Sequence, residues 1–161
     1  MKEITITINE NDILSRLYSE SGYAAYSRES IGEKGMLCDT VTVTEDNYPI
    51  IKEYIKLGLY DVVALISHHL SPCSIEHNGK NPITNNYEYL FKLNYPTNYP
   101  QHNTTIIKER TIGYTIARVL QEWSMLMKPD EANIHATRAL ENYNKLKEIL
   151  SQREKPKNSN N

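Results

Sequence analysis

The chain has 161 residues, enough for one compact domain and short of two. Its 39% hydrophobic and 24% charged residues predict a globular protein and exclude a disordered one. A net charge of −2 argues against a general nucleic-acid binder that depends on phosphate contacts. The sequence has no run of 18 apolar residues, so we predict no membrane span, and its first residues lack the apolar core of a signal peptide.

The N-terminal part of the chain predicts one strand and one helix. Isoleucines alternate with threonines over residues 4–8, a pattern typical of a short strand with one buried face. A helical pattern follows to about residue 28, and a glycine-containing loop covers residues 30–39. Val41 and Val43 also alternate with threonines, so we expect a second short strand or an extended arm that could pair with the first strand.

The second predicted helix is long and rich in apolar residues. It begins after Thr44, a favourable N-cap, and extends to about Leu70, before Pro72. Its apolar stripe is wide, which predicts burial on more than one side of the helix.

A β-hairpin region is predicted over residues 71–101. Cys73–His77 is a candidate strand, and Asn78-Gly79 is a turn signal. The strongest strand pattern of the chain follows at residues 87–95, where aromatic residues alternate with other types. We expect this hairpin to project between two helices.

Two further helices complete the predicted fold. One begins at Asn103 and carries Trp123, and the other begins at Pro129 and ends near Leu150. The fold class is therefore mostly α (α+β), with about four helices in a bundle, a hairpin inserted between the second and third helices, and a short N-terminal strand. We expect one domain over residues 1–152 and a flexible tail over 153–161.

The tyrosine content is the unusual feature of the composition, with 12 Tyr against one Phe and one Trp. Four of these residues lie on or beside the predicted hairpin: Tyr87, Tyr89, Tyr95 and Tyr99. Phe would serve a core equally well, whereas Tyr suits a site that is apolar at one end and wet at the other. We interpret the four as a candidate protein interface. The alternative is that the rings pack on the helices with their hydroxyls at the rim.

Residue types suited to metal binding or catalysis form one cluster. His69, Cys73 and His77 are spaced four residues apart, but Pro72 interrupts the helix that would place them on one face. The sequence contains no nucleophile elbow, phosphate-binding loop or dinucleotide-binding motif. We therefore predict a protein that is not an enzyme, with no catalytic residue, no cofactor and no metal. A metal protein using the His–Cys–His cluster is the least favoured alternative.

The order of the segments along the chain is a feature of its own. The chain begins with an extended segment at residues 4–8, which the helix with Tyr18 and the long helix after residue 46 follow. The Tyr-rich strand, the helix with Trp123 and the last helix come next. This arrangement resembles small structural proteins of phages and prophages of gut Bacteroidetes. It is also similar to the head–tail connector (adaptor) proteins of long-tailed phages.

The resemblance implies a structural role in the virion. Connector proteins are helical, carry a protruding hairpin or loop, and assemble as rings beneath the portal. We accordingly expect a neck-ring subunit, made in the bacterial host cytoplasm and located in the neck or tail region of the virion. Its expected partners are copies of itself, the portal and other neck or tail proteins, and DNA would pass through the ring without sequence-specific binding. No membrane partner is expected.

Two points stay open at this level. This chain departs from the connector pattern by its longer hairpin region, 71–101, and by its strand-like start. The position of the ring therefore stays open: adaptor, stopper, tail terminator or another neck ring. The alternative function is a small intracellular protein-binding module that uses the Tyr-rich hairpin to hold one partner.

Overall fold

The computed structural model describes residues 2–29, 42–70, 74–80 and 87–153, with backbone alone at residues 2, 23–29, 74 and 77–80. The elements in chain order are β1 (Lys2–Asn9), α1 (Glu10–Glu29), α2 (Tyr48–His69), β2 (Ser74–Lys80), β3 (Tyr87–Tyr95), α3 (Asn103–Met127) and α4 (Ala132–Ser151). Short 3₁₀ turns precede α2 and α4. The predicted fold class is confirmed: the described residues are mostly helical, with four helices, a short N-terminal strand and a small antiparallel sheet.

The three strands form an antiparallel sheet in the order β1-β3-β2. Ile4 lies opposite Leu93, and Ile8 lies opposite Tyr89. Because side chains alternate along a strand, the isoleucines of β1 share one face with the odd-numbered residues of β3. That face is buried, with Ile8 and Leu93 fully inaccessible.

The predicted pairing of residues 41–43 with the first strand is wrong. Val43 and Thr44 belong to no strand, Val41 lies outside the described residues, and β1 pairs with β3. The alternation in β1 specifies which face is buried but does not specify the partner strand. β3 offers a nine-residue partner with its own apolar face, so it pairs with β1 along the full length of that strand.

The hairpin is inserted where it was predicted, and its described strands pack on the body instead of projecting from it. β3 is the central strand of the sheet, and its inner face packs on the helices. The first strand of the hairpin is β2, which begins at Ser74. Its pairing register with β3 shifts between His77 and Lys80, where the sequence predicted a turn. Residues 71–73 and 81–86 lie outside the described part of the chain.

The helices pack around α3, which contacts α1, α2 and α4. α3 and α4 run antiparallel, with side-chain hydrogen bonds from Asn103 to Gln152 and from Arg110 to Asn142. α2 buries one side only, so the predicted burial on more than one side is wrong. The loop predicted at residues 30–39 and nearly all of the predicted tail, 154–161, lie outside the described residues.

Candidate functional site

The four tyrosines proposed as an interface occupy unequal positions. Tyr89 and Tyr95 point from β3 into the core, and Tyr99 lies in the turn that follows; their exposed fractions are 2%, 2% and 4%. Tyr87 is half-buried. Three of the four rings are therefore core residues of this fold, in line with the alternative that the ring stripe packs on the helices. Only Tyr87 has a ring that a partner could reach.

The hydroxyl of Tyr89 is hydrogen-bonded to a buried carboxylate. Glu10, the first residue of α1, is 1% exposed, and its Oε2 accepts a hydrogen bond of 2.5 Å from the Tyr89 hydroxyl. Its other oxygen accepts a hydrogen bond from the hydroxyl of Tyr48, the first residue of α2. A carboxylate is also favoured at the first turn of a helix by the helix dipole. The two phenols join β3, α1 and α2 at one point.

This arrangement holds both phenols in the protonated form. Burial is the largest cause that raises the pKa of Tyr89 far above its usual value, and the hydrogen bond and charge of Glu10 add to it. The same causes, in the same order, raise the pKa of Tyr48. A protonated phenol is a hydrogen-bond donor, so the cluster acts as a fixed structural joint.

A second tyrosine joint fixes the end of α4. Tyr99 stacks on Tyr95 with ring centroids 4.4 Å apart, and its hydroxyl donates to the carbonyl oxygen of Ile149 at 3.0 Å. The guanidinium of Arg153 lies over the Tyr99 ring, 5.6 Å from its centroid. These contacts attach the last turn of α4 to the segment between β3 and α3.

A third tyrosine joint connects α2 with α3. Tyr114 donates to Asp61 Oδ2 at 2.9 Å, and the Arg118 Nε lies 3.7 Å from the same oxygen. Burial, followed by the hydrogen bond to Asp61, raises the pKa of Tyr114. Here too the phenol works as an internal donor, which Phe could not replace.

Tyr87 takes part in a surface contact with α2. The ammonium of Lys52 lies 4.0 Å from the centroid of the Tyr87 ring and 5.6 Å from that of Tyr48. Such a cation–π contact contributes about 0.5–1 kcal/mol at an exposed position. Tyr87 and Lys52 thus remain the accessible rim of the predicted tyrosine site.

The His–Cys–His alternative gains no support from the described residues. His69 is the last residue of α2, His77 is described in backbone only, and Cys73 lies outside the described part. No group of three or more His, Cys, Asp or Glu among the described residues could hold a metal ion. Burial is the largest cause that lowers the pKa of His69, with the charges of His68, Lys147 and Arg153 adding to it.

The sequence interpretation missed an apolar stripe on the outer face of α2. Ile50, Leu57 and Tyr60 are 40%, 55% and 57% exposed, although each belongs to the helix whose other side is fully buried. Ile50, Leu57 and the exposed Ala64 follow one another at seven-residue intervals. That spacing is visible in the sequence and is typical of a helix seam that contacts another helix. We call these four residues the α2 stripe.

A second exposed apolar surface lies where α3 turns into α4. It comprises three successive residues at the end of α3 and one in the first turn of α4, all more than 40% exposed: Met125, Leu126, Met127 and Ile134. Three successive apolar residues on a helix cannot all face the core, so this signal was also available in the sequence. We call this set the turn patch.

Comparisons with known proteins identified no relative. No family model, curated protein or solved structure matches this chain. None of the helices in the described residues combines the length and the apolar character that crossing a lipid bilayer requires.

Proposed function

We propose that the chain is a non-enzymatic structural protein of a phage virion, a head–tail connector or neck subunit that oligomerises into a ring and joins the portal to the tail. The proposal combines the connector-like order of segments with the two apolar surfaces of the monomer. The ring would contain copies of this chain and contact portal and other neck or tail proteins.

The α2 stripe is the observation that carries the proposal. Apolar side chains at helical spacing are normally buried, because each exposed one leaves apolar area in contact with water. On α2 the inner side is already occupied by the core, yet Leu57 and Tyr60 leave more than half of their area exposed. A neighbouring subunit that covers this stripe would remove that area from water.

The turn patch supports a head-to-tail arrangement. It belongs to different helices from the α2 stripe, so the two surfaces consist of different residues. When one surface of a subunit binds a different surface of the next, the contact is heterologous, and the chain of subunits closes into a ring if the rotation fits. The near-neutral net charge of −2 favours protein partners over DNA wrapping, which fits DNA that only passes through the lumen.

The test places a charge on the α2 stripe. Leu57→Glu should abolish or strongly weaken self-association and leave the fold intact, because the side chain is 55% exposed. Asn144→Glu is the control, since this residue of α4 is exposed and lies outside both surfaces. Sedimentation velocity over a concentration series measures the assembly state of each protein. Equal self-association of wild type and Leu57→Glu would contradict the role of the stripe.

A further inference from the structure

A cleft between α1, α3 and α4 brings three arginines together. Its volume is about 450 Å³, and the three helices contribute one arginine each: Arg16 from α1, Arg110 from α3 and Arg138 from α4. Thr105 and Gly113 also line it. We call it the arginine cleft; it lies apart from the tyrosine joints, the α2 stripe and the turn patch.

The charges in the cleft do not balance. Arg16 pairs with Glu109 at 3.4 Å, and Arg138 pairs with Glu20 at 2.8 Å. Arg110 is half-buried, and its Nη1 makes one long hydrogen bond of 3.4 Å to the neutral side-chain oxygen of Asn142. In the described part of the chain no carboxylate pairs with Arg110, so three guanidiniums face two carboxylates.

An unpaired guanidinium in a concave site favours an anionic ligand. Removing a charge from water costs free energy unless an opposite charge or further hydrogen bonds offset the loss. The planar guanidinium offers a fork of N–H donors that matches phosphate and carboxylate oxygens. Because Arg16, Arg110 and Arg138 come from three helices, they approach the cleft from different sides, which suits a tetrahedral phosphate better than a planar carboxylate.

Gly113 has a direct role in the shape of this cleft. A Cβ atom at this position would lie 3.1 Å from Asn142 Oδ1, closer than an ordinary contact. The absence of a side chain therefore lets Asn142 approach α3 and hold Arg110 at the cleft wall. Asn142 is itself oriented by donating from Nδ2 to the carbonyl oxygen of Arg138 at 3.0 Å.

We propose that the arginine cleft binds a small phosphate-bearing anion, with Arg110 as the main ligand and Arg16 and Arg138 at its rim. Arg16, Arg138 and Glu109 are exposed and Glu20 is half-buried, so a phosphate oxygen can replace a carboxylate of these rim ion pairs at little cost. This proposal does not depend on the ring function, and a monomeric chain would contain the same cleft.

Isothermal titration calorimetry with inorganic phosphate tests the proposal. Chloride at matched ionic strength serves as the blank, and a rise of the thermal midpoint with phosphate gives a second readout, since a ligand of the folded state stabilises it. We expect saturable binding with a millimolar or tighter Kd. Heats that do not exceed those of the chloride blank would overturn the proposal.

Matched arginine variants locate the binding. Arg110→Gln should weaken phosphate binding about tenfold or more, because a charge-assisted hydrogen bond is lost. Arg118→Gln is the control: this arginine also lies half-buried on α3, but it pairs with Glu122 at 2.7 Å outside the cleft. Arg138→Gln provides a second cleft variant if Arg110→Gln does not fold. An equal loss in Arg118→Gln would overturn the assignment to this cleft.

Two competing ligands decide the chemical class. Citrate offers carboxylates in place of phosphate, and tighter binding of citrate than of phosphate or pyrophosphate would overturn the phosphate assignment. A short DNA duplex tests a nucleic-acid backbone. If the duplex binds in an Arg110-dependent manner and inorganic phosphate does not bind, the small-anion proposal is overturned. If phosphate binds and no duplex binding depends on Arg110, the proposal is supported.

Discussion

At the scale of single residues, the surplus of tyrosine is explained by what its hydroxyl does inside the molecule. Tyr48, Tyr89, Tyr99 and Tyr114 each donate a hydrogen bond to an acceptor that lies far away in the sequence. Phe would fill the same space but could not make these bonds. These hydroxyls thus join distant elements of the fold, and two of them, on Tyr89 and Tyr99, belong to residues that the sequence interpretation assigned to a protein interface.

Removing one such hydroxyl tests this explanation. Tyr89→Phe leaves a buried carboxylate oxygen of Glu10 without its donor, so we expect a loss of about 1.5–3 kcal/mol in the free energy of unfolding. Tyr60→Phe is the matched control, because that ring is 57% exposed, and its effect should stay within about 0.5 kcal/mol. Urea unfolding measures both variants. Equal stabilities of the two would contradict the structural role of the Tyr89–Glu10 bond.

His69 predicts a dependence of stability on acidity. Because burial and neighbouring charges lower its pKa in the folded chain, the unfolded chain takes up a proton first as the pH falls below about 6.5. The free energy of unfolding should therefore decrease as the pH falls through that value towards the lower pKa of the folded state. In His69→Gln the decrease should be shallower, which urea midpoints across this pH range can measure. Parallel curves would exclude this contribution.

At the scale of elements, the close approach of α2 and α3 depends on a glycine. A Cβ on Gly58 would lie 3.3 Å from both the Cα and the Cγ2 of the fully buried Thr115, whereas a Cβ on Gly22 in α1 would meet nothing within 4 Å. Gly22→Ala should therefore raise the free energy of unfolding by about 0.5–1 kcal/mol through helix propensity.

Gly58→Ala has the same propensity gain but must push two packed helices apart. We expect this strain to cancel the propensity gain or to lower the free energy of unfolding by about 1 kcal/mol. Gly58→Val should lower the free energy of unfolding by about 1–3 kcal/mol. Thermal or urea unfolding of the three variants gives the comparison. A stabilisation by Gly58→Ala equal to that of Gly22→Ala would show that the two helices are not tightly packed there.

The sequence predicted the helices and strands more successfully than it predicted which of them lie next to one another. The helices and β3 have clear periodic patterns, because each has one face that must be buried. The partner of β1 was missed, since the alternation at Ile4, Ile6 and Ile8 is satisfied by any apolar strand. The sequence interpretation assigned the three buried tyrosines to an interface. Acceptors of their hydroxyls, such as Glu10 and the Ile149 carbonyl, are distant in sequence, so these hydrogen bonds become visible only in the folded structure.

At the scale of the whole molecule, the described residues form one hydrophobic core and leave the α2 stripe and the turn patch exposed. The α2 stripe and the turn patch are the features that a connector subunit would bury between neighbours. The arginine cleft is separate from both and gives the molecule a place for a small anion whether or not it assembles. The proposed ring function and the proposed anion site therefore depend on different residues of the chain and can be tested separately.

Electron microscopy of the purified chain, with two-dimensional class averages of the assembled particles, tests the ring function most directly. We expect closed rings with rotational symmetry, in which α2 lies at each subunit boundary, and we expect these rings to be absent from the Leu57→Glu protein. Monomers alone at every concentration, or dimers with two-fold symmetry that do not involve α2, would contradict the proposed function.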